Sequence, residues 1–304
     1  MSANFVNLVT QEFTSTVQLL LQQKESLLSG AVSRGTHVGK AASPVNQVGV
    51  VQFQTPSGRY SPLNRQDPDM TRRWVFPVDA EAMVMIDSFD QLKSIVDPMS
   101  AESQAIMAAA GRYMDDRLFG SFFATAYTGP DTGSLTSESF NTTNFRIAST
   151  FGASSATGLT VAKIIEARRI LRHYHNELET DMPTMVIGSQ QEADLLNQVQ
   201  VVSTEYNDRP VLVDGRLKQF LGFNIIVSER IPYGSNLRQV PVFVKSGMHL
   251  GTWQDIQIDI SQRKDLSSQP WQIYAKLSMG ATRTEAGKVL QILCSDTTGG
   301  DITP

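Results

Sequence analysis

The chain predicts an α+β fold in which an α/β unit is inserted between a long helix and the antiparallel strands that helix covers. Three observations carry this. Residues 98–126 read as one long amphipathic helix. From Leu159 to Ile231, helical and strand-like stretches alternate with short connections, the pattern of a compact α/β unit. From Asp255 to Cys294, apolar and polar residues alternate as in long antiparallel strands with one apolar face. Those strands need a helix over that face, and the only long one unassigned is 98–126.

That helix has a clear start. Asp97 stands as N-cap and Pro98 as the first helical residue. Glu102 follows near the positive end of the helix dipole. Met107, Ala110, Met114, Leu118 and Phe122 recur every three or four residues and make an apolar stripe. Met99, Ile106 and Tyr113 widen it. Glu102, Arg112 and Asp116 gather on the opposite face with Ala105 and Ala109. At 1.5 Å per residue the helix would run about 40 Å. Gly111 inside it costs about 1 kcal/mol against Ala, so packing must supply the stability.

Taken in order, residues 4–28 have helical spacing at Phe5, Leu8, Val9, Phe13, Val17, Leu20, Leu21 and Leu28, with Gly30 as a stop. SRGTHVGKAASPVNQVG then reads as an extended arm. A helix at the end of such an arm reads as lying on a neighbouring subunit, with a frayed terminus as the alternative. Residues 47–54 and 71–78 read as two strands joined by TPSGRYSPLNRQDPD, a long connection dense in Pro, Gly, Asn and Asp. A hairpin alone in water is marginal. It therefore needs a partner chain or, alternatively, a larger sheet of its own domain. On its second strand Arg73, Val75 and Pro77 share one side, and Arg72, Trp74 and Phe76 the other.

Ala82, Val84 and Ile86 suggest a further strand, and FDQLKSIV a short helical turn. Residues 128–158 are rich in Ser, Thr and Gly and read as a surface excursion or boundary. The α/β unit then opens with a helix capped by Thr160 that buries Ile164, Ile165, Ile170 and Leu171. TMVIGS is a strand, QQEADLLNQV a helix opened by Ser189, GFNIIVSE a strand, and VPVFVKSG another. DIQIDISQRKD sets Ile256, Ile258 and Ile260 against Gln257, Asp259 and Ser261. WQIYAKLSMGATRTEAGKVLQILC gives two strands around RTEAG.

Composition narrows the function. The 304 residues are 41% hydrophobic and 18% charged with a net charge of −4, which does not support a basic nucleic-acid surface. One cysteine, Cys294, excludes an intrachain disulfide and a Cys-based metal site. No apolar run is long enough to span a bilayer, and MSANFVNLVTQEF lacks the form of a secretory signal. The expected setting is a reducing cytoplasm.

Catalytic motifs are weak. His173 and His175, two apart on a helix, point about 200° apart and cannot share an ion. Ser189 in VIGSQQ is a helix N-cap, since Gln191 replaces the second glycine of a hydrolase elbow. Asp67 with Asp69, or Glu177 with Glu179, have the spacing of ordinary loop carboxylates. No phosphate-binding glycine motif is present. The loop at 131–144 matches no known cation-loop spacing. No catalytic residue, cofactor or metal is expected.

Three stretches, DPMSAESQAIMAAAGRYMDDRLFGSFFATA, LKQFLGFNIIVSERIP and WQIYAKLSMGATRTEAGKVLQIL, in this order and character, resemble the major capsid protein of tailed bacteriophages, the Hong Kong 97 capsid fold. The resemblance covers nearly the whole chain. It implies an N-terminal arm at 1–46 and an extended β-hairpin loop at 47–78. A β-rich peripheral domain at 79–127 and 251–304 would contain the spine helix 98–126, with an α/β axial domain at 128–250. It implies a subunit that self-assembles into pentamers and hexamers of an icosahedral shell in the bacterial cytoplasm. Packaged double-stranded DNA would be held without sequence-specific binding, and a portal protein would be a partner. Scaffolding and decoration proteins are left open, because no long charged N-terminal coiled coil is present. A modest acidic balance suits a shell whose DNA must later leave.

For such a shell the expected inter-subunit contacts are Arg72, Arg73 and Trp74 on the second hairpin strand, because Trp and Arg dominate buried interfaces. Arg65, Asp67 and Asp69 near the loop tip would pair with charges next door. Two other readings stand beside this one. An encapsulin-type nanocompartment resembles the same fold with an enzyme as cargo. A cytoplasmic α/β enzyme predicts a small oligomer with a formed pocket.

Overall fold

The structure is a computed structural model, and it describes residues 22–55, 58–60, 62, 65–87, 98–198, 218–267 and 269–296. Residues 4–21 of the helix expected at 4–28, the Asp97 cap and the helical turn before it lie outside these residues. In chain order the strands begin with β1 (Ser33–Thr36), β2 (Ala42–Val48), β3 (Met70–Val75) and β4 (Val78–Ile86). The long helix α1 (Pro98–Phe122) follows, then β5 (Ala126–Thr128), β6 (Thr136–Glu138) and β7 (Arg146–Ile147). The α/β region holds α2 (Val161–His173), β8 (Thr184–Ile187), α3 (Ser189–Leu196), β9 (Gln219–Phe220), β10 (Phe223–Val227), β11 (Tyr233–Gly234) and β12 (Leu237–Phe243). The chain ends with β13 (Met248–Gln262), β14 (Trp271–Arg283) and β15 (Val289–Ser295).

These elements build three sheets. One has the order β1-β13-β14-β4, a second β2-β3-β5-β6, and a seven-stranded one β7-β15-β12-β8-β10-β9 with β11 on β12. The chain divides into two compact units. One takes Met1–Ser26, Asp79–Tyr113 and Gln254–Ser278; the other takes Leu27–Val78, Met114–Trp253 and Met279–Pro304.

In the first unit, Ile106 of α1 packs with Ile86, Ile273, Ala275 and Val84, so the long helix does cover the late strands. The packing is thin. Small side chains, Ala80, Ala82, Ala109 and Ala110 among them, leave a cleft of about 200 Å³ beside Ile106 and Tyr113. The expected stripe is rotated here: Ile106 and Ala108 are buried and Met107 is half exposed. Ile258 and Ile260 are also exposed.

In the second unit Leu118 and Phe122 of the expected stripe enter a core with Leu28, Val32, Phe243, Met248 and Val289, and Phe119, outside that stripe, joins them. The helix stops at Phe122, four residues earlier than predicted. Arg283 Nη1 takes the carbonyls of Phe122 and Ala124, at 2.9 and 3.1 Å, and Ala126 turns into β5. This guanidinium is buried over the Phe140 ring, and burial lowers its pKa.

The N-terminal arm is corrected by the same core. Residues 22–28 are not helical, and Leu28 and Val32 are fully buried. Leu27 and Leu28 donate their backbone N–H groups to the buried Asp115 carboxylate, at 3.0 and 3.2 Å. β1 then pairs in parallel with β13. From Leu27 onward the expected free arm is part of the body.

The larger core lies under the seven-stranded sheet. Ile164, Ile170 and Leu171 of α2 and Leu195 of α3 pack on Met185, Ile187, Phe223, Val240, Val242, Leu290 and Ile292. Thr160 caps α2 as predicted, but Ile165 faces out. The cap of α3 is Gly188, and Ser189 is its first helical residue, with its N–H on the Glu229 carboxylate. β15 was expected with the peripheral strands. It instead pairs with β12 over Leu237–Phe243, because its Leu290 and Ile292 complete the α/β core.

Candidate subunit interface

The base of the hairpin is held by its own chain. β2 pairs antiparallel with β3, and β3 with β5, so two short strands extend the hairpin to four. The first strand lies earlier than predicted, at 42–48 rather than 47–54. Pro44 is tolerated there because β2 is an edge strand whose register slips between Ala42 and Val45.

Arg73 turns inward from this sheet and is only 3% exposed. Its Nε donates to the Thr284 carbonyl at 2.8 Å and its Nη1 to Glu138 Oε2 at 2.6 Å. Gln47 Nε2 reaches the same Thr284 carbonyl at 2.9 Å. Arg73 is therefore corrected: it anchors the hairpin to its own body and has no surface to offer a neighbour. The predicted alternation explains it, since Arg73 and Val75 share the buried side. On the other side Arg72 is exposed and Trp74 partly buried, with its Nε1–H on the Gly129 carbonyl at 3.0 Å.

Past Val48 the ladder ends. Gly49 N donates to Asp69 O at 2.7 Å, and Gln52 N to the Gln66 side chain at 3.0 Å. Residues 49–55 and 65–69 have no regular secondary structure. Arg65 and Asp67 pair with each other at 2.8 Å, but with 85% and 73% of their side chains exposed. Such a pair contributes under about 1 kcal/mol and is free to exchange partners. Asp69 is also exposed.

The loop also carries what the charges do not explain. Val48, Val50, Val51, Phe53, Tyr60 and Met70 are exposed, Phe53 and Tyr60 fully. Exposed apolar side chains gathered on one loop are the kind of surface that partners cover. The signal was present as the run Val50-Val51 and Phe53 in a segment read as a strand. Its exposure on both sides was not legible, because it depends on the ladder ending at Val48.

The catalytic candidates do not converge. His173 ends α2 and His175 lies beyond it in the left-handed region, with φ 58°, both exposed. Asp131 Oδ1 is occupied by the N–H groups of Gly133 and Ser134. Among the described residues no three His, Cys, Asp or Glu gather as a metal site, and no helix is long and apolar enough to cross a membrane. Cys294 is buried, and desolvation pushes its thiol up to about 12.

Solved phage capsid subunits share this architecture. The capsid structure of cyanophage P-SCSP1u matches with a TM-score of 0.73 at 13% identity, over 96% of this chain and 94% of that one. The capsid of cyanophage Pam1 matches with a TM-score of 0.72 at 12% identity, over 96% and 97%. A structure from Mycobacterium phage Che8 gives 0.68 at 12%, over 93% and 96%. The fold is thus the α+β fold of capsid subunits. No curated protein sequence matches the chain. The profile of the phage capsid protein family matches residues 5–296, and the chain belongs to that family, as a structural major capsid protein of the phage head. Its place is the virion capsid.

Proposed function

We infer that the chain assembles head to tail into pentamers and hexamers that close an icosahedral shell around double-stranded DNA. The observation that carries this reading is the uncovered apolar row at 48–70 on a loop whose base is locked to the body. A unit with unlike surfaces closes rings when the rotation between copies closes. In this reading the loop lies on a neighbouring subunit, where Val50, Phe53 and Tyr60 lose their contact with water. Arg72 and Trp74, with Arg65, Asp67 and Asp69 nearer the tip, supply the polar rim. We keep 47–78 as the extended loop, 128–250 as the axial region and 79–127 with 251–304, less β15, as the peripheral one. The role is structural, and we assign it no catalysis and no cofactor. A portal protein and packaged DNA are its partners in the head, assembled in the host cytoplasm, with scaffolding and decoration proteins as optional additions.

Electron microscopy of the purified protein, with light scattering for mass, tests this. Closed hollow particles with pentamers and hexamers support the reading. A uniform dimer or tetramer under several salt conditions overturns it. Particles isolated from a native source that hold an enzyme instead of DNA would point to an encapsulin-type shell.

A further inference from the structure

Two imidazoles meet where β1 joins β13. The strands pair in parallel with Gly35 opposite Gly251, and His37 N extends the ladder to Thr252 O at 2.9 Å. The rings of His37 and His249 lie 5.1 Å apart, with 2.8 Å between their Nε2 atoms. The glycine pair makes the room. A Cβ on Gly35 would meet the His249 ring at 3.1 Å, and one on Gly251 the His37 ring at 2.7 Å. Trp253 stands 5.3 Å from the His37 ring and donates its Nε1–H to Gly39 O at 2.7 Å.

The hydrogen-bond chain assigns the protons. Ser33 Oγ donates to Met248 O at 2.6 Å, so it accepts from His249 Nδ1–H at 3.2 Å. His249 Nε2 is then a lone pair, and His37 Nε2–H is the donor between the rings. A first extra proton goes to His37 Nδ1 and leaves this bond intact. A second has to land on His249 Nε2, where the hydrogen of His37 already points.

We propose that His37 and His249 form an acid-sensitive clasp, which holds β1, the strand leading into the hairpin, against β13 and releases it when both rings are protonated. The groups facing the pair are the Ser33 hydroxyl from β1, the Met248 carbonyl and Trp253 indole from β13, and the Gly39 carbonyl from the turn. The charged residue of β1, Arg34, alternates to the other face, with Nη2 at the Met114 sulfur. The charge acting on His249 is that of His37. Burial, then that charge, lowers His249 from 6.5 to about 4, and burial lowers His37 as well. Both folded values lie below the free value, so the released state takes up protons first. The clasp is intact above pH 6.5. It weakens as pH falls below that, and the loss levels off near the folded value of His249. For the proton His249 takes, the opening constant rises about tenfold per pH unit in this window.

Hydrogen–deuterium exchange of the full-length protein from pH 7 to 3.5, corrected for intrinsic rates, tests the clasp. Peptides covering 33–39 should lose protection steeply below pH 6.5 while those of α2 keep theirs. The double variant His37→Gln/His249→Gln should abolish that local pH dependence. A flat profile in the parent chain, or the same fall in the variant, overturns the proposal. Histidine ring NMR on the unaltered protein reads the same point without a substitution. Of the four histidines, one ring should titrate below pH 5, and four rings near 6.5 would overturn it.

Discussion

Arg73 Nη1 lies 2.6 Å from Glu138 Oε2, and this contact joins β3, at the base of the loop, to β6 of the same chain. The arginine is sealed while the glutamate is about one-third exposed, so the pair is only partly screened. Arg73→Ala also leaves the Thr284 carbonyl without its Arg73 donor. The expected loss is about 2 kcal/mol of stability, read as a lower urea midpoint with an unchanged slope.

The loop beyond that anchor should behave in the opposite way. Phe53→Ser removes no intrachain packing, since Phe53 is fully exposed. Urea unfolding of the dispersed subunit should stay within about 0.5 kcal/mol of the parent. Shell yield, counted by electron microscopy, should fall. Unchanged yield with unchanged stability would remove Phe53 from the interface.

Arg238 and Asp296 form a fully buried pair at 2.9 Å, and Arg238 also holds the carbonyls of Glu229 and Ile231. Arg238 Nη2 also lies 3.2 Å from Glu229 Oε2, so losing Asp296 leaves the buried guanidinium with a partly exposed carboxylate as its counter-charge. Asp296→Asn should cost about 2 kcal/mol, and Arg238→Met more, because the Glu229 carboxylate and the Glu229 and Ile231 carbonyls then lose their guanidinium donor as well. Equilibrium denaturation of the three proteins makes the comparison.

Gly280 stands where the backbone joining β3 to β4 passes. A Cβ there would come within 2.1 Å of Phe76 O and 3.0 Å of Val75 Cγ2. The backbone cannot yield as a flexible side chain does. Gly280→Ala should destabilise by about 2–3 kcal/mol, measurable as a lower melting temperature.

Cys294 should be inert in the folded chain. It is buried, and burial raises its thiol to about 12, so little thiolate exists at pH 8. A disulfide reagent should titrate no thiol natively and one in guanidinium. Prompt native reaction would show that β15 opens.

Much of this architecture was legible because periodicity is local. The long helix from Pro98 to Phe122, the Thr160 cap, the late strands and the turn around RTEAG follow from spacing and capping chemistry, which neighbours in sequence express by themselves. Other features needed partners far along the chain. The helix end depends on Arg283, more than 150 residues away, taking two carbonyls. The burial of Leu28 and Val32 depends on Phe243 and Met248, which no pattern near Gly30 announces. Ile165 and Met107 satisfy helical spacing equally well on either side of a stripe edge, and only the packed neighbour settles which is covered.

The interface shows the same division. By itself the sequence determined that a hairpin with a long connection leads into a long helix, and that Arg73 and Val75 share a side. Tertiary structure alone decided that this side faces inward, that Glu138 and Thr284 wait there for Arg73, and that the ladder stops at Val48. Side-chain alternation is set by the backbone of one strand, whereas burial is a property of the surfaces that strand meets. Hence which residues of β3 share a side was readable, and the exposed apolar row of the loop was not.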